Sequence, residues 1–119
     1  MKDEIQKAIG AHSLWKGRLH RAIETGKSEF TVADVAVDNK CEFGKWLYSV
    51  APGSGQSNGH RESVKRLHAA FHKEVANVLT QALDGNRDLA LKAMDMGTPY
   101  AVCSTNLTAE MMNWARMEV

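Results

Sequence analysis

Apolar residues recur every three or four positions through three long stretches of this 119-residue chain, and no stretch alternates at period two for long enough to build a sheet. In residues 2 to 25 the stripe runs through Ile5, Ala8, His12, Trp15, Leu19 and Ile23, and Gly26 is a plausible stop. A second long helix is expected from Arg61 to Leu83, with Val64, Leu67, His68, Phe71, Val75 and Leu79 inward and Asp84-Gly85-Asn86 ending it. The third runs from Arg87 to Met117 on Leu89, Met96, Tyr100, Leu107, Met111 and Trp114. That rhythm passes through Pro99 without losing phase, which predicts a single helix kinked near Gly97-Thr98-Pro99. Residues 41 to 49 read as a short aromatic helix or turn, and the Gly- and Ser-rich residues 51 to 59 as a loop. The expected fold is all-α: one domain over 1–119, a small antiparallel four-helix-type bundle of three long helices and a short one carrying Cys41. Gly10 and Gly17 lie on one line of the first helix, where they either admit a close neighbour or simply weaken it.

Charge and length narrow the function. A formal net charge of +1 argues against a phosphate-backbone binder, so no nucleic-acid partner is expected. No apolar run is long enough to cross a bilayer, and the opening Met1-Lys2-Asp3-Glu4 lacks the apolar core of a signal peptide. Two cysteines, Cys41 and Cys103, make no disulfide framework. The expected location is the cytoplasm, with reduced thiols.

His68 and His72 stand four residues apart, so a helix stacks both imidazoles on one face, one turn apart. Leu67 and Phe71 lie beside them, which aims two titratable rings at a core. His12 falls on the inner stripe of the first helix, whereas His20 lies toward its polar side and His60 in the glycine-rich loop. Cys41 sits in an aromatic segment that must pack against the same core. A lone inward histidine is more often a hydrogen-bonded core residue, and a lone cysteine a small hydrophobe. The coincidence of four such residues favours a metal. Three imidazoles and one thiolate complete the tetrahedral shell zinc prefers. With three neutral rings and one thiolate the site keeps one net positive charge, far less costly to bury than a bare dication. A closed shell and the lack of an inward carboxylate placed as a general base speak against an enzyme. A zinc hydrolase, a purely structural zinc-stapled dimerisation module and an iron or haem site at the histidine pair are the rivals.

Three segments, His12-Ser13-Leu14-Trp15-Lys16, Cys41-Glu42-Phe43-Gly44-Lys45-Trp46-Leu47 and Leu67-His68-Ala69-Ala70-Phe71-His72, together resemble the chemoreceptor zinc-binding (CZB) domain family. The resemblance covers nearly the whole chain, and it implies zinc ligation by His12, Cys41, His68 and His72. It also implies a helical bundle, often a homodimer, that regulates a bacterial cytosolic chemoreceptor or diguanylate cyclase in response to zinc or to oxidation of the Cys41 thiolate. No such output domain is recognisable in these 119 residues, so the regulated partner is expected elsewhere.

Overall fold

The computed structural model describes residues 2–49 and 55–117, and every regular element in them is an α-helix. In chain order these are α1 (Lys2–Ser13), α2 (Trp15–Thr25), α3 (Val32–Ala36), α4 (Glu42–Ser49), α5 (Gly55–Leu83), α6 (Arg87–Lys92) and α7 (Pro99–Met117). The 29 residues of α5 rise about 43 Å and account for most of the 46 Å long axis. Helix α5 packs most extensively on α7 and then on α2 and α3, while α1 lies against α7.

The termini follow local chemistry. Gly26 closes α2 in the left-handed region at φ 72°, and its N–H donates to the Ala22 carbonyl. Thr31 caps α3 by accepting the Asp34 N–H at 3.2 Å. The N–H groups of Gly85 and Asn86 turn back to the Ala82 and Gln81 carbonyls and end α5. An Arg87 N–H reaches the Glu24 carbonyl at 2.7 Å, tying the start of α6 to the end of α2.

Three expectations from periodicity are corrected. The helix expected over 2–25 is broken at Leu14, whose N–H bonds the Ala11 carbonyl, one residue short of α register, while the Ser13 hydroxyl donates to the Gly10 carbonyl. The helix expected from Arg61 begins at Gly55, so Gly55–Gly59 is helical and not loop; residues 51–54 of that expected loop lie outside the described residues. Once a turn exists, each further residue gains a hydrogen bond, so the well-packed downstream helix carries poor formers at its start. His60 is therefore a helical residue, half-buried and paired with Glu110 of α7. Finally, the kinked helix expected over 87–117 is two helices. Gly97 adopts φ 85°, the Thr98 hydroxyl accepts the Ala101 N–H, and Pro99 starts α7 where its missing N–H costs nothing. Leu89 and Met96 consequently leave the inner stripe and are exposed, Met96 almost fully, and Ala90 takes the buried position.

The core joins Ile5, Leu19, Leu47, Phe71, Leu79 and Trp114 with their neighbours. Fully burying one large apolar side chain stabilises the fold by about 1.5–3 kcal/mol. Gly10 and Gly17 face open space, so neither serves a close helix approach. Among the described residues, no helix is long and apolar enough to cross a membrane.

Candidate metal centre

His68, His72 and His12 are buried among apolar neighbours, and Cys41 joins them half-buried. His68 and His72 hang one turn apart from the middle of α5, where Val64, Phe71 and Val75 anchor the helix in the core. His12 comes from the last turn of α1. Cys41 lies just before α4. The phenyl ring of Phe43 sits edge-on to both His12 and His68, at centroid distances of 5.7 and 5.2 Å, and Phe71 closes on His12 at 5.5 Å. These rings cover the His12–His68 side of the cluster.

One atom from each of the four residues lies within 4.8 Å of all the others. The Nε2 atoms of His68 and His12 are 3.0 Å apart, and those of His68 and His72 are 3.1 Å apart. The Cys41 sulfur stands 3.4 Å from His68 Nε2 and 3.6 Å from His72 Nε2. Zinc bonds of about 2.0–2.1 Å to nitrogen and about 2.3 Å to sulfur give a tetrahedron with N–N edges of about 3.3 Å and N–S edges of about 3.6 Å. Four of the six edges, at 3.0 to 3.6 Å, already approach that figure.

The rings are oriented by backbone carbonyls. His12 Nδ1 donates to the Ala8 carbonyl at 2.8 Å, and His72 Nδ1 donates to the Val35 carbonyl at 2.9 Å. A carbonyl only accepts, so both protons sit on Nδ1 and both Nε2 atoms carry bare lone pairs. Those lone pairs point at His68 Nε2. His68 Nε2 carries at most one proton and can donate to only one of these rings, while the Cys41 thiol, 3.6 Å from His72 Nε2, can donate to the other. Among the described residues the Nδ1 of His68 is buried without a hydrogen-bond partner, which by itself costs about 1–3 kcal/mol. Three imidazole nitrogens with a cysteine sulfur gathered at one point are the donor set of a zinc ion.

Electrostatics agree. Burial lowers the His12 pKa to about 4 against the raising effect of the Ala8 carbonyl. Burial, then the neighbouring His72 and His12, lowers that of His68 to about 2. Burial lowers the His72 pKa too, although the Val35 carbonyl and Asp38 oppose it. All three rings are held neutral, the form that binds metal. Burial raises the Cys41 pKa, opposed chiefly by the N–H groups of Gly44 and Phe43. Without a cation that thiol keeps its proton; a bound dication reverses the balance.

Gly44 was not among the residues singled out by spacing. Its N–H donates to the Cys41 sulfur at 3.3 Å. A Cβ there would lie 1.7 Å from the Asp38 carbonyl oxygen, so only glycine lets the 38–39 backbone close over α4. The Val35 carbonyl is invisible in the sequence because any residue type supplies one. Of the remaining candidates, His20 and His60 stand apart from the cluster, and Cys103 is half-buried on α7.

No match was found among the curated proteins or the solved structures. The sequence pattern of the chemoreceptor zinc-binding domain matches residues 12–79, more than half of the chain, and its span begins at His12 and includes Cys41, His68 and His72. The chain therefore belongs to the chemoreceptor zinc-binding domain family.

Proposed function

We propose that this chain is a regulatory zinc-binding module, not an enzyme, in which His12, Cys41, His68 and His72 hold one zinc ion. The observation that carries the reading is the gathering of one donor atom from each of three histidines and one cysteine within 4.8 Å of one another, with His68 Nδ1 left without a hydrogen-bond partner among the described residues. When bound, zinc supplies the positive charge that keeps Cys41 a thiolate and cross-links α1, the α3–α4 connection and α5. The Ala8 and Val35 carbonyls fix two of the rings so that their Nε2 atoms face inward.

The switch lies at Cys41. It is the half-exposed member of the set, and it stands on a short connection and not on a long helix. Conversion of its thiolate to sulfenic acid removes an anionic donor from the shell. Helices α1 and α4 then lose a shared tether to α5, and the bundle changes how it packs on itself or on a signalling partner. A homodimer, a cytoplasmic setting and a chemoreceptor or diguanylate cyclase as the regulated output complete the proposal. Full burial of His68 favours a second reading, a permanent zinc staple with no regulatory role.

Treating the zinc-loaded chain with hypochlorite in the presence of a chromogenic chelator separates the two. The sensor reading expects zinc release in step with loss of the Cys41 thiol. Retention of zinc after Cys41 is oxidised leaves the staple.

A further inference from the structure

The four-residue cluster is closed on one side and open on the other. His68 is fully buried, but Cys41, His12 and His72 border a cavity of about 490 Å³ between α2, the α3 region and the start of α4. Its walls are mainly apolar and include Trp15, Phe30, Val35 and Phe43. One charged group is built into this wall. The Arg18 guanidinium lies 5.0 Å from the centroid of Trp15 and 4.9 Å from that of Phe30. Two rings hold it by cation–π contact. Among the described residues no carboxylate pairs with it and no hydrogen bond engages its N–H donors. Those donors form a planar fork matched to a carboxylate. The other charges on the cavity are at its edge. Lys40 is paired with Asp34 at 3.9 Å, both well exposed, and Glu42 is exposed at the first turn of α4.

We propose that this cavity is a binding site for a small monocarboxylate with an apolar body, its carboxylate on Arg18 and its body against Phe30, Val35 and Phe43, beside the Cys41 sulfur. Apolar walls with a single convergent polar group are the usual make-up of a small-molecule site. The carboxylate replaces water on the Arg18 fork, and the body covers the one open edge of the cluster. An occupant therefore shields Cys41 from reagents in solution. In this the inference rests on the metal reading only for its consequence; the cavity and Arg18 stand without it.

Alkylation tests it, since iodoacetate is itself a small carboxylate and iodoacetamide is its neutral counterpart. Rates at Cys41 and Cys103 are read by peptide mass spectrometry on the full, zinc-loaded chain, each relative to free N-acetylcysteine. Cys41 is expected to prefer iodoacetate over iodoacetamide by fivefold or more, with a rate that saturates in iodoacetate. Cys103, on α7 near Glu74, is expected to show no such preference. Millimolar phenylacetate is expected to slow Cys41 alone. Arg18→Gln is expected to bring the preference within twofold, and Arg18→Lys, which keeps the charge without the fork, to an intermediate value. An unchanged preference in Arg18→Gln, or no protection by phenylacetate, overturns the site. Zinc content measured on the same samples keeps the two readings apart. Zinc bound without phenylacetate protection sinks the carboxylate site alone, and protection in a chain that holds no zinc sinks the metal reading alone.

Discussion

The two halves of the cluster are built differently. His68 and His72 belong to a 29-residue helix, flanked by core residues and buried almost completely. Cys41 belongs to a connection between a five-residue and an eight-residue helix and is half-buried. The histidine half is set by core packing, which would hold its shape whether or not an ion is present. The cysteine half is set by a few close contacts: the Gly44 N–H, the Asp38 carbonyl against α4, and the Phe43 ring. A packed histidine base and a cysteine arm held by few contacts make the asymmetry that the proposed release at Cys41 requires. This asymmetry also places the open cavity on the cysteine side.

The largest expected effect is on metal affinity. His68→Ala and Cys41→Ala should each weaken zinc binding by more than about 100-fold, above the loss usual for disturbing a supporting partner. A competition titration with a chromogenic chelator reads it. Unchanged affinity in Cys41→Ala would remove the fourth arm and with it the comparison.

Gly44→Ala comes next. The added methyl group overlaps the Asp38 carbonyl, so the 38–44 segment must shift, at a cost of about 1–3 kcal/mol. Chemical denaturation should show this loss in the metal-free chain, and zinc affinity should fall with it. Full stability with native affinity would mean that the cysteine arm is not held by this close approach.

A further expected effect is acid lability of the histidine half in the metal-free chain. Above pH 6.5 both folded and unfolded states hold His12 neutral. Between pH 6.5 and about 4 the unfolded state takes up a proton that the folded state refuses. Stability is therefore present above pH 6.5 and is lost as pH falls through that window, by up to about 1.4 kcal/mol per pH unit for such a ring. His68 and His72 act in the same direction. Urea midpoints at pH 7.5 and pH 5 check the sign; a midpoint that rises on acidification contradicts neutral burial of the rings.

Helical periodicity made the helix class and the inward aim of His12, His68 and His72 legible, because those rings fall in phase with Ile5, Val64 and Phe71. Continuity was not legible. A turn that restores the same phase, as residues 93–98 do between α6 and α7, leaves the apolar rhythm intact while Met96 swings into solvent. The start of α5 at Gly55 was hidden because propagation from the packed downstream turns offsets the weak propensity of Gly and Ser. The partners of the imidazole Nδ1 atoms were hidden because Ala8 and Val35 act through backbone. Gly44 and Arg18 were in plain view as residue types, but their roles depend on which backbone and which rings lie opposite.

X-ray absorption at the zinc edge of the loaded chain tests the central claim most directly. The account predicts one sulfur at about 2.3 Å and three nitrogens at about 2.0 Å, with the sulfur shell lost in Cys41→Ala. A zinc environment without sulfur, or a wild-type chain that retains no zinc, would contradict it.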